Sequence, residues 1–513
     1  MASITVEQLI DFRLAIQRAR RSLRQPRASI LLPLGLALLF AFIYTPPRWQ
    51  DWNQNSRFNL TRAIVDEGTV RIDRYAENTG DYAEIDGHIY TDKAPGLSLM
   101  AVPVYAVTST LEPHGLGQLS YRIGHSGGFA ASLSPDGQGL SDDRIDTAVA
   151  LHIATILTVS VPAVVMLLLM YLIVERVVGC RTAATLSTLA IGLATPVFTY
   201  SQAFYGHIPA AACIIGILAL VILNDAECLS ARRLAAIGLL AGWAIVIEYP
   251  VAVILLPIGL WIAYRERERA VLYGLAGMAP PLAVLVAYDL IAFGTLMPIG
   301  YEHSALWQEQ HSTGFMSLTY PHTDALWGLT FSRFRGLFFL APVLLLALPG
   351  WVIGMRRSEQ RGLFVAVGAS TLAFYLFVSS SIMWWGGFAA GPRYLAPAIP
   401  LLALPLGVVV SHINSQAPLR RGASLLLVGL LGLISAALTW STTFAGQNYP
   451  SDAIRDPLVD YVIPALREGD IARNLGMALQ LGGVASLVPL VIVLAACVAM
   501  IGLRLVIQPV VAA

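Results

Sequence analysis

Stretches of about 20 apolar residues recur along this 513-residue chain, each closed by a short break that carries arginine. That is the length an α-helix needs to cross the ~30 Å hydrocarbon layer of a bilayer. Twelve such spans are read at 29–46, 147–173, 182–200, 207–224, 234–249, 250–264, 271–293, 335–354, 363–383, 395–412, 422–440 and 483–503. Only 13% of residues are charged, against about a quarter in soluble domains. The expected fold class is an all-α polytopic membrane protein with about twelve transmembrane helices.

Arginine placement orients this scheme. The N-terminal tail and every second loop hold 19 Arg against 8 acids, and the other side holds 13 Arg and Lys93 against 24 acids. By the positive-inside rule both termini are cytoplasmic and the long loops face outward. Residues 1–28 read as a basic amphipathic tail on the inner leaflet rather than a cleaved leader. Residues 29–513 form one transmembrane domain, whose first outer loop, 47–146, is by far the longest. Cys180, Cys213, Cys228 and Cys497 fall in spans or cytoplasmic loops, so no disulfide and no cysteine metal site are expected.

The first outer loop divides further. Phe58, Leu60, Ile64 and Val65 suit a helix over 51–67 lying along the membrane surface, with Gly68 as its stop. Val70 to Ile89 alternates loosely and contains the turn sequences Asn78-Thr79-Gly80-Asp81 and Asp86-Gly87, which predicts a small hairpin. Pro95 to Leu111 is too short and too interrupted for a span and reads as an interfacial helix. Short inner loops and large, aromatic, acidic outer loops place the work of the protein at the outer face.

Lys93 is the single lysine of the chain; the other 32 basic side chains are arginine. Its ammonium is a compact, mobile charge of the kind that grips phosphate. It lies in Tyr90-Thr91-Asp92-Lys93-Ala94-Pro95-Gly96. Together with the preceding Asp51-Trp52-Asn53-Gln54-Asn55-Ser56-Arg57-Phe58 and Gly68, this order resembles the GT-C glycosyltransferases, in particular the aminoarabinose transferases of lipid A and the protein O-mannosyltransferases. Their acidic-Lys-Pro motif is matched here with Ala94 inserted and Asp in place of Glu, and the family's acidic position falls near Asn53 rather than at Asp51. Trp384-Trp385-Gly386-Gly387, Gly391-Pro392-Arg393-Tyr394-Leu395 and Phe331-Ser332-Arg333-Phe334-Arg335-Gly336-Leu337 also resemble patterns of bacterial members of that superfamily.

The resemblance implies an inverting glycosyltransferase that takes its sugar from a polyprenyl phosphate and delivers it to a lipid, glycan or protein acceptor. It implies a multi-pass enzyme of the bacterial cytoplasmic membrane, with its active site on the extracytoplasmic side. Asp51 would deprotonate the acceptor, with Asp81 and Asp92 as the other candidate acids. Lys93, Arg393 and Arg57 would hold the donor phosphate. Glu248 and Asp289, ionisable groups at span ends, are functional candidates by position. Glu248, His207, Tyr301 and Trp385 are candidate sugar or acceptor contacts. His303, His311 and His322 are spaced unlike any compact ligand motif, so no metal is assigned and no cofactor is required, a divalent ion being the one possible addition. Two rival readings fit the span count. A lipid-linked glycan flippase should show internal repeats and midplane charges, and neither is evident. An O-antigen ligase or polymerase should concentrate arginine in a late outer loop, whereas here the informative loop comes first.

Overall fold

The computed structural model describes residues 28–134, 139–296, 300–315 and 317–510. The expected tail therefore lies outside the described residues except for Ala28. The chain is mostly helical, and helix stands at each of the twelve apolar stretches. Six of these helices, Asp142–Val178, Tyr249–Glu266, Glu268–Phe293, Arg361–Ser379, Pro418–Phe444 and Gly483–Leu505, are long and apolar enough to cross a membrane by length and composition. Ser29–Ile43, His207–Ile222, Pro342–Arg356 and Ile399–Asn414 are shorter apolar helices.

The long segment 47–146 is where the fold departs most from a plain bundle. After helix α1 (Ala28–Ile43), Asp51 caps helix α2 (Trp52–Asp66), accepting the Gln54 amide proton at 3.3 Å. Gly68 follows with φ +67°, the left-handed geometry that ends helices. Strands β1 (Ala83–Ile85) and β2 (His88–Tyr90) form the expected hairpin, and Asp86 and Gly87 both have positive φ as a tight reversal requires. The segment ahead of it, Asp73–Asn78, is a 3₁₀ turn and not strand. Helix α3 (Gly96–Leu111) closes the region.

α2 is packed within the protein along its polar side as well. Gln54, Asn55, Ser56, Arg57, Asn59 and Thr61 are all buried. The polar face points inward because the segments around it are irregular and need partners for their backbone groups. Asn55 donates to the carbonyls of Trp49 (2.7 Å) and Asn78 (2.9 Å), and Asn59 to that of Tyr75 (2.8 Å). Thr61 donates to Ser98 (3.0 Å), and Gln54 accepts from the Phe204 amide (2.6 Å). α2 is thus the hub on which these segments are hung.

A second irregular stretch lies opposite. Helix Arg181–Leu193 stops, a single turn Pro196–Tyr200 follows, and Ser201–Tyr205 runs on through buried turns and bends. Its Ser201 carbonyl accepts a hydrogen bond from Ser160 (2.8 Å), in the π-helical turn Ile156–Ser160 of the neighbouring long helix. Irregular backbone at such depth is tolerated where protein surrounds it or a cavity needs lining.

Candidate functional site

Three charged clusters meet where α2, the Thr91–Gly96 loop, the Ser201–His207 stretch and the Gly386–Tyr394 loop converge. The first is Asp51, Tyr205 and Arg393, all buried. The Tyr205 hydroxyl donates to Asp51 Oδ2 in a short hydrogen bond and accepts from Arg393 Nη1 at 3.1 Å. The Arg393 guanidinium lies 4.9 Å from the Tyr205 ring centre and 5.2 Å from that of Tyr394. Burial pushes the Asp51 carboxyl above its ordinary range, and Arg393, Tyr205 and Gln54 only partly offset it. Burial and the Asp51 charge push the Tyr205 phenol well up, so it stays protonated and available to donate.

The second cluster is built on Lys93. Its Nζ stands 3.1 Å from Asp81 Oδ2 and 3.0 Å from Asp92 Oδ2, and its side chain is 9% exposed. Asp81 arrives from the turn before β1 and Asp92 from the turn after β2, so the hairpin brings the two acids together. Burial raises both carboxyls. At Asp81 the Lys93 charge, aided by Arg393, outweighs burial and holds the group below its usual range. At Asp92 burial wins, helped by the neighbouring Asp81 charge, and the carboxyl is raised. Trp307 donates to Asp81 Oδ1 at 3.4 Å. His311, from the same segment as Trp307, feels the Lys93 and Asp81 charges; burial first and Lys93 second lower it to about 4, so it is neutral at physiological pH.

The third cluster lies behind the Lys93 loop. Arg57 donates through Nε to Asn53 (3.1 Å), through Nη1 to the Ala94 carbonyl (3.0 Å) and through Nη2 to Glu248 (3.2 Å). His207 Nδ1 is 3.6 Å from the same Glu248 oxygen. Two glycines make this packing possible. A Cβ at Gly96 would stand 2.6 Å from the Ile247 nitrogen, and one at Gly206 would stand 2.5 Å from Glu248 Oε2. The His207 ring stacks on Tyr205 at 5.7 Å and 9°, which joins this cluster to the first.

The structure therefore brings Asp51, Asp81, Asp92, Lys93, Arg57, Arg393, Glu248 and His207 into one constellation. Arg57 is engaged by Asn53, Ala94 and Glu248, which fits it for fixing the Lys93 loop. Of the 300–303 turn, Gly300 abuts Asp92, while the side chain of Tyr301 lies outside the described residues. Trp385 donates to Asp452 (3.0 Å), and Trp384 is packed into the core against Phe334 and Gly328. Asp289 is fully buried near the end of its helix, beside the packing cluster of Tyr288, Tyr90 and Leu60. Among the described residues no group of three His, Cys, Asp or Glu has the geometry to hold a metal ion.

Tyr205, Trp307 and Arg335 were given no role by the sequence, and His311 was weighed there only as a metal ligand. Arg335 is 1% exposed, and its guanidinium donates to the carbonyls of Trp385 (3.2 Å), Gly387 (2.8 Å) and Pro450 (3.4 Å). It ties the loop that carries Arg393 to the segment that follows helix Pro418–Phe444. Arg335→Met removes this donor from the Trp385 and Gly387 carbonyls, while Pro450 keeps the Ala389 amide at 3.3 Å, and is expected to cost about 3 kcal/mol of stability. Thermal unfolding in detergent checks this, with Arg335→Lys recovering only part of the loss because one ammonium cannot span three carbonyls.

No protein-family profile and no curated protein matches the chain. Among solved structures it is similar to ArnT from Cupriavidus metallidurans bound to undecaprenyl phosphate, at 16% identity and a TM-score of 0.49, over 94% of this chain and 77% of that one. The apo state of the same protein aligns at a TM-score of 0.47, with 16% identity over 93% of this chain and 77% of that one. The Archaeoglobus fulgidus oligosaccharyltransferase, in complex with zinc and sulfate, aligns at 12% identity and 0.43, over 80% of this chain and 53% of that one. These likenesses are of overall fold.

Proposed function

We propose that this chain is an inverting glycosyltransferase that moves a sugar from a polyprenyl-phosphate donor to an acceptor hydroxyl at the outer membrane face. The observation that carries this reading is a buried carboxyl, Asp51, raised by burial and linked through Tyr205 to the buried cation Arg393, with Lys93 in the neighbouring cluster as a second cation for a phosphate. Asp51 takes the acceptor proton as the acceptor oxygen attacks the anomeric carbon. The bond between that carbon and the phosphate oxygen breaks, and the polyprenyl phosphate leaves with the extra negative charge, which Arg393 and Lys93 stabilise. Arg57 and Glu248 hold the Lys93 loop in place, while His207 supports the Tyr205 ring.

The lipid has a seat of matching chemistry. Two residues beyond Arg393, Leu395 lines an almost wholly apolar cleft of about 540 Å³, with Leu337, Phe338, Trp351, Tyr375 and Ile399. That volume and lining suit an isoprenoid chain.

Purified protein in nanodiscs, given polyprenyl-phosphate sugars of differing headgroup, is expected to release free polyprenyl phosphate and form a glycoside of inverted anomeric configuration. Retention of configuration, or sugar release from a nucleotide donor instead, refutes the reading. The pH profile has a defined sign. The base works deprotonated, so activity falls as pH drops through the Asp51 pKa, and the midpoint lies above the ~4 of an ordinary Asp. An acid limb at or below that value contradicts the assignment.

A further inference from the structure

We propose that Tyr205 is a positioning residue that couples occupation of Arg393 by an anion to the proton affinity of Asp51, so that the base strengthens only once the donor phosphate is in place. This rests on the reading of Asp51 as base and Arg393 as phosphate site, and it adds an order to their action.

The geometry is a single chain, Arg393 Nη1 to Tyr205 hydroxyl to Asp51 Oδ2, in which every member is buried. A phenol has one proton to give and lone pairs to receive. Placed between an obligate donor and a carboxylate, it directs that proton to the carboxylate. The ring cannot turn away: it is stacked on His207 at 9° and meets Tyr200 edge-on at 5.6 Å. Tyr200 is itself pinned, since its hydroxyl both donates to the Ala390 carbonyl and accepts from the Ala390 amide, at 3.1 Å each. The phenol is thus a fixed link between the cation and the base.

Arg393 keeps a face for a ligand. Its Nε is buried with no hydrogen-bond partner. Next to it stands Gly386 at φ +74°, where a Cβ would come 3.5 Å from Nε. An anion held there offsets the positive charge that restrains Asp51, and the carboxylate becomes a stronger base while still hydrogen-bonded to Tyr205. By reciprocity, a proton on Asp51 tightens anion binding. Besides Tyr205, Arg393 and Gln54, the groups that bear on Asp51 are Tyr449, which Arg48 overlies at 4.2 Å, and more distantly His207, Glu248 and the Asp81–Lys93–Asp92 cluster.

The test is calorimetric. A polyprenyl methyl phosphate is a diester, hence a monoanion that does not itself titrate in the working range. Its binding to the full chain in nanodiscs is measured in buffers of different ionisation enthalpy, which reports protons taken up. Wild type is expected to take up protons on binding. Tyr205→Phe, which keeps the ring and its stacking, is expected to bind but with uptake reduced by more than half. Asp51→Asn retains Asp92, His207 and Glu248 and is expected to show essentially no uptake. Equal uptake in wild type and Tyr205→Phe, or uptake that survives in Asp51→Asn, overturns the coupling while leaving the phosphate site standing. Binding of the diester with no proton uptake in wild type does the same. Failure of wild type to bind the diester at all overturns both the phosphate reading and the coupling built on it.

Discussion

Lys93→Met is expected to be the most damaging single change, abolishing transfer by two orders of magnitude or more and destabilising the fold by about 3–5 kcal/mol at neutral pH. The ammonium lies within 3.1 Å of two carboxylates, Asp92 fully buried and Asp81 with 14% of its side chain exposed. Without it they face each other uncompensated, and one must bind a proton to remain inside. The sign follows from the two states. In wild type Asp81 is held below its usual range, so its contribution to stability is present above its unfolded pKa and fades as pH falls through the folded one. In the variant the pair is raised instead, so the penalty is full at neutral pH and relieved as acid supplies the missing proton. Thermal unfolding of the detergent-solubilised protein at about pH 7 and about pH 5 measures this. The gap between wild type and variant should narrow in acid. Lys93→Met combined with Asp81→Asn should recover much of the stability and none of the activity. A gap that is the same at both pH values would mean that Lys93 is not the charge partner of these acids.

Asp51→Asn separates rate from structure. Removing a general base is expected to cost about 10²–10⁴ in the rate of transfer. Asparagine caps a helix about as well as aspartate, so the start of α2 is preserved, and its side-chain oxygen still accepts from Tyr205. The variant also loses a carboxylate whose burial opposes ionisation, so its melting temperature should stay level or rise. Donor affinity should change only a few-fold. Asp51→Ala, in contrast, loses the cap as well and should cost about 1 kcal/mol. Measuring transfer rate, donor binding and unfolding on the same preparations decides it. An inactive Asp51→Asn that also fails to bind the donor would make Asp51 part of the binding site instead of the base.

The sequence made some of this legible and concealed the rest. Apolar runs located the helices because span length is set by the bilayer, and Gly68 and Asp86-Gly87 marked a stop and a turn because those roles are local. The meeting of Tyr205 with Asp51 joins residues 154 apart, and that of Arg393 with Tyr205 residues 188 apart. No local pattern announces such contacts. α2 was legible only in part, for a related reason. Phe58, Leu60, Ile64 and Val65 suggested a helix, yet the burial of Asn55, Asn59 and Thr61 rests on carbonyls that the sequence does not reveal as neighbours. The salt bridge from Arg57 to Glu248 spans 191 residues and was equally out of reach. Lys93 was found by its rarity, but its two carboxylate partners became evident only once the hairpin had folded them together.

The account turns on a lipid phosphate at Arg393 and Lys93. Native mass spectrometry of the protein in mild detergent, before and after addition of polyprenyl-phosphate sugar, tests that directly. Wild type and Asp51→Asn should carry the added lipid as a one-to-one adduct, with the sugar retained in Asp51→Asn, while Lys93→Met and Arg393→Met should carry little or none. An adduct of equal abundance in all four proteins, or none in wild type, would contradict the account.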